Sequence, residues 1–257
     1  MSATAVDTKD LYAYLLRLGD DALVMSHRIA EWTSWAPQLE EDMALVNIGL
    51  DLLGQVRNIY TYAGVVGGEG KTEDDLAYLR EEHEFTCVHL VEHPTVHHFG
   101  RAMAQLFYWS AYAVPLWEQL SRSSDSSIAE IAVKSLKEAR YHLEHAAAWV
   151  VRLGDGTEES HGKIQEALDH FWPYTGDLFR TDELNDRLVA AGVAADLATV
   201  KAAWDATVAS VLAEATLPMP TVRLRDGTGR AGTHTEHLGY LLAEMQYIHR
   251  LHPGASW

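Results

Sequence analysis

Apolar side chains recur every three to four residues along nearly all the long segments of this sequence, and no stretch alternates apolar with polar between two hairpin turns. A 3.6-residue repeat stacks apolar side chains on one face of a helix, whereas a half-buried strand needs a repeat of two. The chain is therefore all-α. A first helical pattern runs from about Asp10 to Trp35, bent near Gly19-Asp20 and closed by Pro37. A second covers about Gln38 to Val66. It opens with Glu40, Glu41 and Asp42, which suit the positive end of a helix dipole, and stops at "GGEG". Thr72 and Asp75 read as a capping box that starts a third helix, interrupted by Pro94. The pattern resumes through "FGRAMAQLFYWSAYAVPLWEQL". After the polar linker "SRSSDSS", Asp125 caps a long helix that ends at "LGDG". Shorter helices fit 158–180, 182–191 and 197–216, and a last one runs from about Thr235 to Leu251. Long helices with irregular breaks imply four core helices plus flanking ones, in a single domain over residues 1–257.

Eight Trp, eleven Tyr and 47% hydrophobic residues supply a large core. The single cysteine, Cys87, excludes an intrachain disulfide and fits a reducing cytoplasm. The opening "MSATAVDTKD" has neither the basic nor the apolar stretch of a secretory signal, and no apolar run approaches the ~20 residues of a membrane span. A formal charge of −17 disfavours nucleic acid and anionic membrane surfaces as partners.

Chemistry in a helical bundle comes from side chains that face its interior. In "KSLKEARYHLEH", Glu138, His142 and His145 leave one face of a helix at i, i+4 and i+7. A di-iron carboxylate bundle takes a Glu from each of two helices and Glu-x-x-His from each of the other two. This stretch misses that word by one residue: three places after Glu138 stands Tyr141. The sequence holds Glu-x-x-His only at Glu158–His161, in a turn after glycines. Between Met43 and Gly68 the second helix has no His and one acid, Asp51, so it cannot complete a dinuclear site. Glu138, His142 and His145 then read as a Glu–His hydrogen bond or a polar stripe with Lys134 and Lys137, and His27 with Glu31 repeats that i, i+4 pairing. Pro94 breaks the turn that would align His89, His93 and His97, and His234 to His237 read as capping of the last helix. There is no nucleophile elbow, Cys87 sits on an apolar helix pattern as inert core, and "GVVGGEGK" lacks the Ser or Thr of a phosphate loop. The expectation is a bundle with no catalytic residues and no metal.

Five blocks, "RLGDDALVMSHRIAEW", "LVNIGLDLLGQVRNIYTYAG", "EEHEFTCVHLVEHP", "KEARYHLEHAAAWVVRLGDGTE" and "HTEHLGYLLAEMQYIHRLHPG", stand in an order that resembles the C-subunit family of bacterial phenylacetyl-CoA epoxidases. The resemblance runs from about residue 11 to Trp257. It implies a ferritin-like four-helix bundle with extra flanking helices, in a monooxygenase that inserts one oxygen atom of O₂ into the ring of phenylacetyl-CoA during aerobic phenylacetate breakdown. It further implies that the di-iron centre resides in the A subunit and that a separate reductase supplies electrons. The C subunit would then be a cytoplasmic structural partner of A, without a cofactor of its own. "EARYH" stands where a catalytic relative places Glu-x-x-His, which makes Asp51, Glu138, His142 and His145 degenerate metal-site positions.

The same resemblance places Glu84, Phe85, Thr86 and Cys87 near bound acyl-CoA where A and C meet, although core packing explains Phe85 and Cys87 equally well. Arg223, Arg225 and Arg230 fall within "TVRLRDGTGRAGTHTEH", just ahead of a helix start. Arginine suits phosphate, so this loop could hold the CoA end, dock an acidic face of A, or be solvated. The rival to a scaffold role is an active di-iron oxygenase with unorthodox ligands: Glu31, Asp51, Glu138 and His142.

Overall fold

The computed structural model describes residues 6–255, and every regular element among them is a helix. Four long helices make the core: α1 (Thr8–Ala30), α2 (Leu39–Gly67), α5 (Phe99–Leu120) and α6 (Ser126–Gly154), with α3 (Glu73–Tyr78) and the single-turn α4 (His89–Glu92) between the second and third. α1 packs mainly on α2 and α5 on α6, and the two pairs join where α2 meets α6. α7 (Glu158–Phe171), α8 (Glu183–Ala190), α9 (Leu197–Glu214) and α10 (Glu236–Leu251) wrap this core.

The capping residues act as the sequence suggests. Asp125 Oδ1 accepts from Ile128 N at 3.0 Å, and the Thr72–Asp75 capping box opens α3. α1 runs as one continuous helix through Gly19, where the glycine serves packing. A Cβ on Gly19 would run into the buried Tyr60 ring of α2, so its absence lets the two helices close up. α1 also ends at Ala30, earlier than Trp35. The chain turns there because Trp32 swings inward, its indole N–H donating to Thr95 Oγ1 at 2.7 Å and its ring meeting Phe99 edge-on.

The third helix departs furthest from expectation. It stops at Tyr78, well before Pro94, and a short 3₁₀ turn at Glu82–Glu84 leads into extended backbone at Phe85 and Val88. Two carboxylates on α1 explain the change. Asp20 Oδ2 accepts from Thr86 N at 2.7 Å and Asp21 Oδ1 from Val88 N at 2.9 Å, so these amides bond across the fold and not to a helical turn. Past Phe171 the segment Trp172–Phe179 tightens to 3₁₀ geometry, with Pro173 at its start. That segment lays Trp172 and Phe179 against Trp204 of α9, and Trp204 in turn bonds the Tyr108 carbonyl of α5 at 3.0 Å. The buried apolar side chains form one connected cluster.

Two glycine substitutions should move stability in opposite directions. Gly19→Ala drives a methyl into the Tyr60 ring and should cost about 1–3 kcal/mol, the range for overpacking. Gly54→Ala in the interior of α2 meets nothing within 4 Å and should gain roughly 0.5–1 kcal/mol. Urea unfolding of both variants checks this; equal effects would show that Tyr60 does not depend on the missing Cβ.

Candidate functional site

α2 and α6 run antiparallel, and their polar side chains meet rung by rung. Glu138 Oε2 accepts from Gln55 Nε2 at 3.0 Å, with Lys134 Nζ 3.8 Å from its other oxygen. His142, 2% exposed at its side chain, donates to Asp51 Oδ2 at 3.1 Å. His145 Nε2 lies 3.3 Å from Glu41 Oε2, which also accepts from Trp149 Nε1 at 2.7 Å. Each α6 residue thus faces its own α2 partner, and the four degenerate positions Asp51, Glu138, His142 and His145 do not converge on one point. Glu31, the remaining unorthodox candidate, is paired with Arg28 on α1. The anticipated His27–Glu31 bond is replaced, for His27 turns to the Leu23 carbonyl at 3.0 Å. Among the described residues only Cys87, Glu92 and His234 bring three ligand atoms within 4.8 Å of one another. The residues at the bundle seam therefore do not fit a di-iron centre.

Within the stretch Glu84–Cys87, Glu84 ends the short 3₁₀ turn, the other three residues lie outside any helix, and most of the stretch faces inward. Phe85 is fully buried beneath the Arg80 guanidinium, 4.1 Å from its ring centroid. Thr86 bonds Asp20 through both its amide and its hydroxyl. Asp20 further accepts from Tyr60 at 2.5 Å and pairs with Arg80, all within the interior. Cys87 is fully buried, and burial, with Glu92 and both aspartates nearby, raises its thiol pKa well above the ordinary value. Glu84 alone of the four is exposed.

The three loop arginines do not act together either. Arg230 reaches inward to Asp21 with both terminal nitrogens, at 3.1 and 2.6 Å, and to the Thr86 carbonyl at 2.8 Å. The buried Asp21 carboxylate demands a counter-charge, and this arginine supplies it. Arg225 is exposed and stacks over Tyr174 at 5.2 Å, and Arg223 is exposed as well. Gly229, beside Arg230, has no side chain, so the loop backbone lies against the Cys87 carbonyl. That contact brings in a histidine whose sequence position suggests only helix capping. His234 precedes the N-cap Thr235 of α10 and is buried against Glu92, its Nδ1 2.8 Å from Oε1. The sequence signal for this group is a lone Cys87 and Glu92 five residues apart; nothing local points to a partner more than 140 positions away.

The seam histidines make acid sensitivity calculable. Burial lowers the His142 pKa below its ordinary 6.5, and His145 adds to that, against the hydrogen bond and charge of Asp51. Tyr141, Lys134 and Glu138 lie around the same rung. The unfolded chain gains a proton below about pH 6.5 that folded His142 refuses, so stability falls as pH drops below that value and is unaffected above it. His142→Asn keeps a donor for Asp51 but cannot titrate. It should flatten the decline of the thermal midpoint between about pH 6.5 and 5; an unchanged slope would show that His142 takes up its proton while folded.

No helix among the described residues is long and apolar enough to cross a membrane. Compared with known proteins, the chain is 47% identical over 247 residues to the C subunit of the 1,2-phenylacetyl-CoA epoxidase of Escherichia coli (strain K12), a match covering 96% of this chain and 99% of that protein. The family profile described as phenylacetic acid catabolic protein matches residues 1–257. A helical bundle with its chemistry-bearing residues dispersed along the seam, matched over its whole length, places this chain in the phenylacetic acid catabolic protein family.

Proposed function

We propose that this chain is a non-catalytic subunit of a phenylacetyl-CoA epoxidase, stabilising the partner that carries the di-iron centre in aerobic phenylacetate breakdown. The observation that carries the reading is the α2–α6 seam. The helices that would have to supply converging carboxylate and imidazole ligands instead meet rung by rung, through the Gln55–Glu138 and Asp51–His142 hydrogen bonds and the 3.3 Å approach of His145 to Glu41. Paired in this way, the seam fastens two helices without offering a shared vertex for iron.

A partner role also agrees with what the surface exposes. Leu39, Met43, Leu50 and Leu53 of α2 and Tyr240, Tyr247, Ile248 and Leu251 of α10 all stand in solvent. Clefts of about 450 Å³ beside α2 and 430 Å³ beside α10 notch the same helices. Apolar exposure on this scale marks a protein interface, and the catalytic A subunit is the occupant we assign to it. Of the residues associated with acyl-CoA, Arg223 and Arg225 are the exposed cations, and their role is to meet the CoA moiety from the rim of that assembly.

Two measurements test this. The purified chain should hold no pair of irons and show no oxygenase activity. Two irons per chain that vanish in a Glu138→Ala/His142→Ala double variant would reverse the reading. Co-expressed with its A subunit, the chain should co-elute as a complex, consistent with at least ~1,200 Å² of buried interface, and Leu50→Lys/Leu53→Lys should weaken that complex. Separate elution at micromolar concentration would remove the scaffold role.

A further inference from the structure

Cys87, Glu92 and His234 lie away from the seam and are used by nothing described so far. Their side chains are fully buried. Cys87 Sγ lies 3.8 Å from Glu92 Oε1 and 3.9 Å from His234 Nδ1, and those two are 2.8 Å apart. Thiol and carboxylate point at the same ring nitrogen, so the imidazole cannot relay a proton from one to the other. A nucleophilic triad is thereby excluded, for it needs the acid and the nucleophile on opposite ring nitrogens.

We propose that these three residues form a structural site for one thiophilic divalent cation of the zinc class. Bond lengths of ~2.3 Å to sulfur and ~2.0–2.2 Å to nitrogen or oxygen give tetrahedral edges of about 3.6 Å to sulfur and about 3.4 Å between nitrogen and oxygen. The two sulfur edges already stand near that size, and only the Glu92–His234 edge has to open, by about 0.6 Å. The supporting shell is in place. His234 Nε2–H donates to the Phe85 carbonyl at 2.8 Å, which directs Nδ1 inward, and Glu92 Oε2 accepts from Thr235 N at 2.7 Å.

Charge is balanced in both states. Without a cation the two ring nitrogens of His234 face the Glu92 carboxylate and the Phe85 carbonyl, and one carboxylate, one imidazolium and one thiol sum to zero. When a divalent cation binds, two protons leave, one from Nδ1 and one from Sγ. The result is one carboxylate, one thiolate, a neutral imidazole and the cation, which is neutral again. The interior accepts either state without an unpaired charge. Three protein donors leave the fourth vertex to a water-derived ligand. The cation would clip the extended segment at Cys87 to the loop before α10, joining residues 147 positions apart, where a clip restricts the unfolded chain most.

The test is a cobalt titration of the chelator-stripped chain, with Co²⁺ added both to the folded protein and during refolding, since the site is fully buried. One Co²⁺ per chain should give a thiolate-to-metal charge-transfer band and the strong visible absorption of tetrahedral cobalt. Zn²⁺ should displace it with a higher thermal midpoint, and two protons should be released per ion in weak buffer. Cys87→Ser should lose the charge-transfer band, while His142→Asn, at the α2–α6 seam, should keep it. No band in the wild-type chain under either loading condition overturns the proposal whatever the variants do. A band that persists in Cys87→Ser, or one lost in His142→Asn, overturns it as well. None of these outcomes depends on pairing with the A subunit.

Discussion

Two adjacent buried carboxylates, Asp20 and Asp21 in the middle of α1, set the terms for everything outside the four long helices. Neighbouring helix positions point about 100° apart, so the two side chains reach different neighbours. Asp20 gathers Tyr60 of α2, Arg80 and Thr86, while Asp21 takes Val88 N and Arg230. Buried charge is tolerated only when paired and hydrogen-bonded, and each aspartate meets that demand with one arginine and at least one backbone amide. The segment after α3 is extended because its amides are recruited here, and the loop before α10 lies where it does because Arg230 must reach in. The Cys87–Glu92–His234 group is the meeting point of those two tethered segments.

Much of this architecture is legible in the sequence, and the exceptions share a cause. The bounds of α2, α5, α6 and α9 follow from apolar periodicity and local capping, which are properties of neighbouring residues. The third helix is shorter than its periodicity suggests because the competitor for its backbone amides stands more than 60 positions earlier. Arg230 has the sequence setting of a solvated or phosphate-binding residue among glycines, and only the fold reveals the carboxylate it answers. His234 reads as a cap for the same reason. Residues whose partners are remote take on the look of residues with local roles, while Asp125 and Thr72, whose partners lie three positions away, declare themselves correctly.

At the α2–α6 seam, sequence and geometry meet on firmer ground. The near-miss at Glu138–His142 already indicates that the ligand word is incomplete, and Asp51 is the sole acid that the second helix offers between Met43 and Gly68. The fold adds Gln55, Glu41 and Trp149, which complete the pairing and turn candidate ligands into interhelical fasteners. The polar side chains at this seam meet pairwise across the two helices, which is why imidazole and carboxylate at helical spacing do not by themselves make a metal site.

The Asp21–Arg230 pair has a consequence for biosynthesis. Its members are separated by 209 residues, so a ribosome emits the aspartate long before the arginine that neutralises it. Until Arg230 is in place, burying Asp21 as a charge is costly, so the α1–α2 hairpin either keeps that carboxyl toward water or buries it protonated. The setting that Asp21 has in the folded domain is complete only once the C-terminal loop has docked.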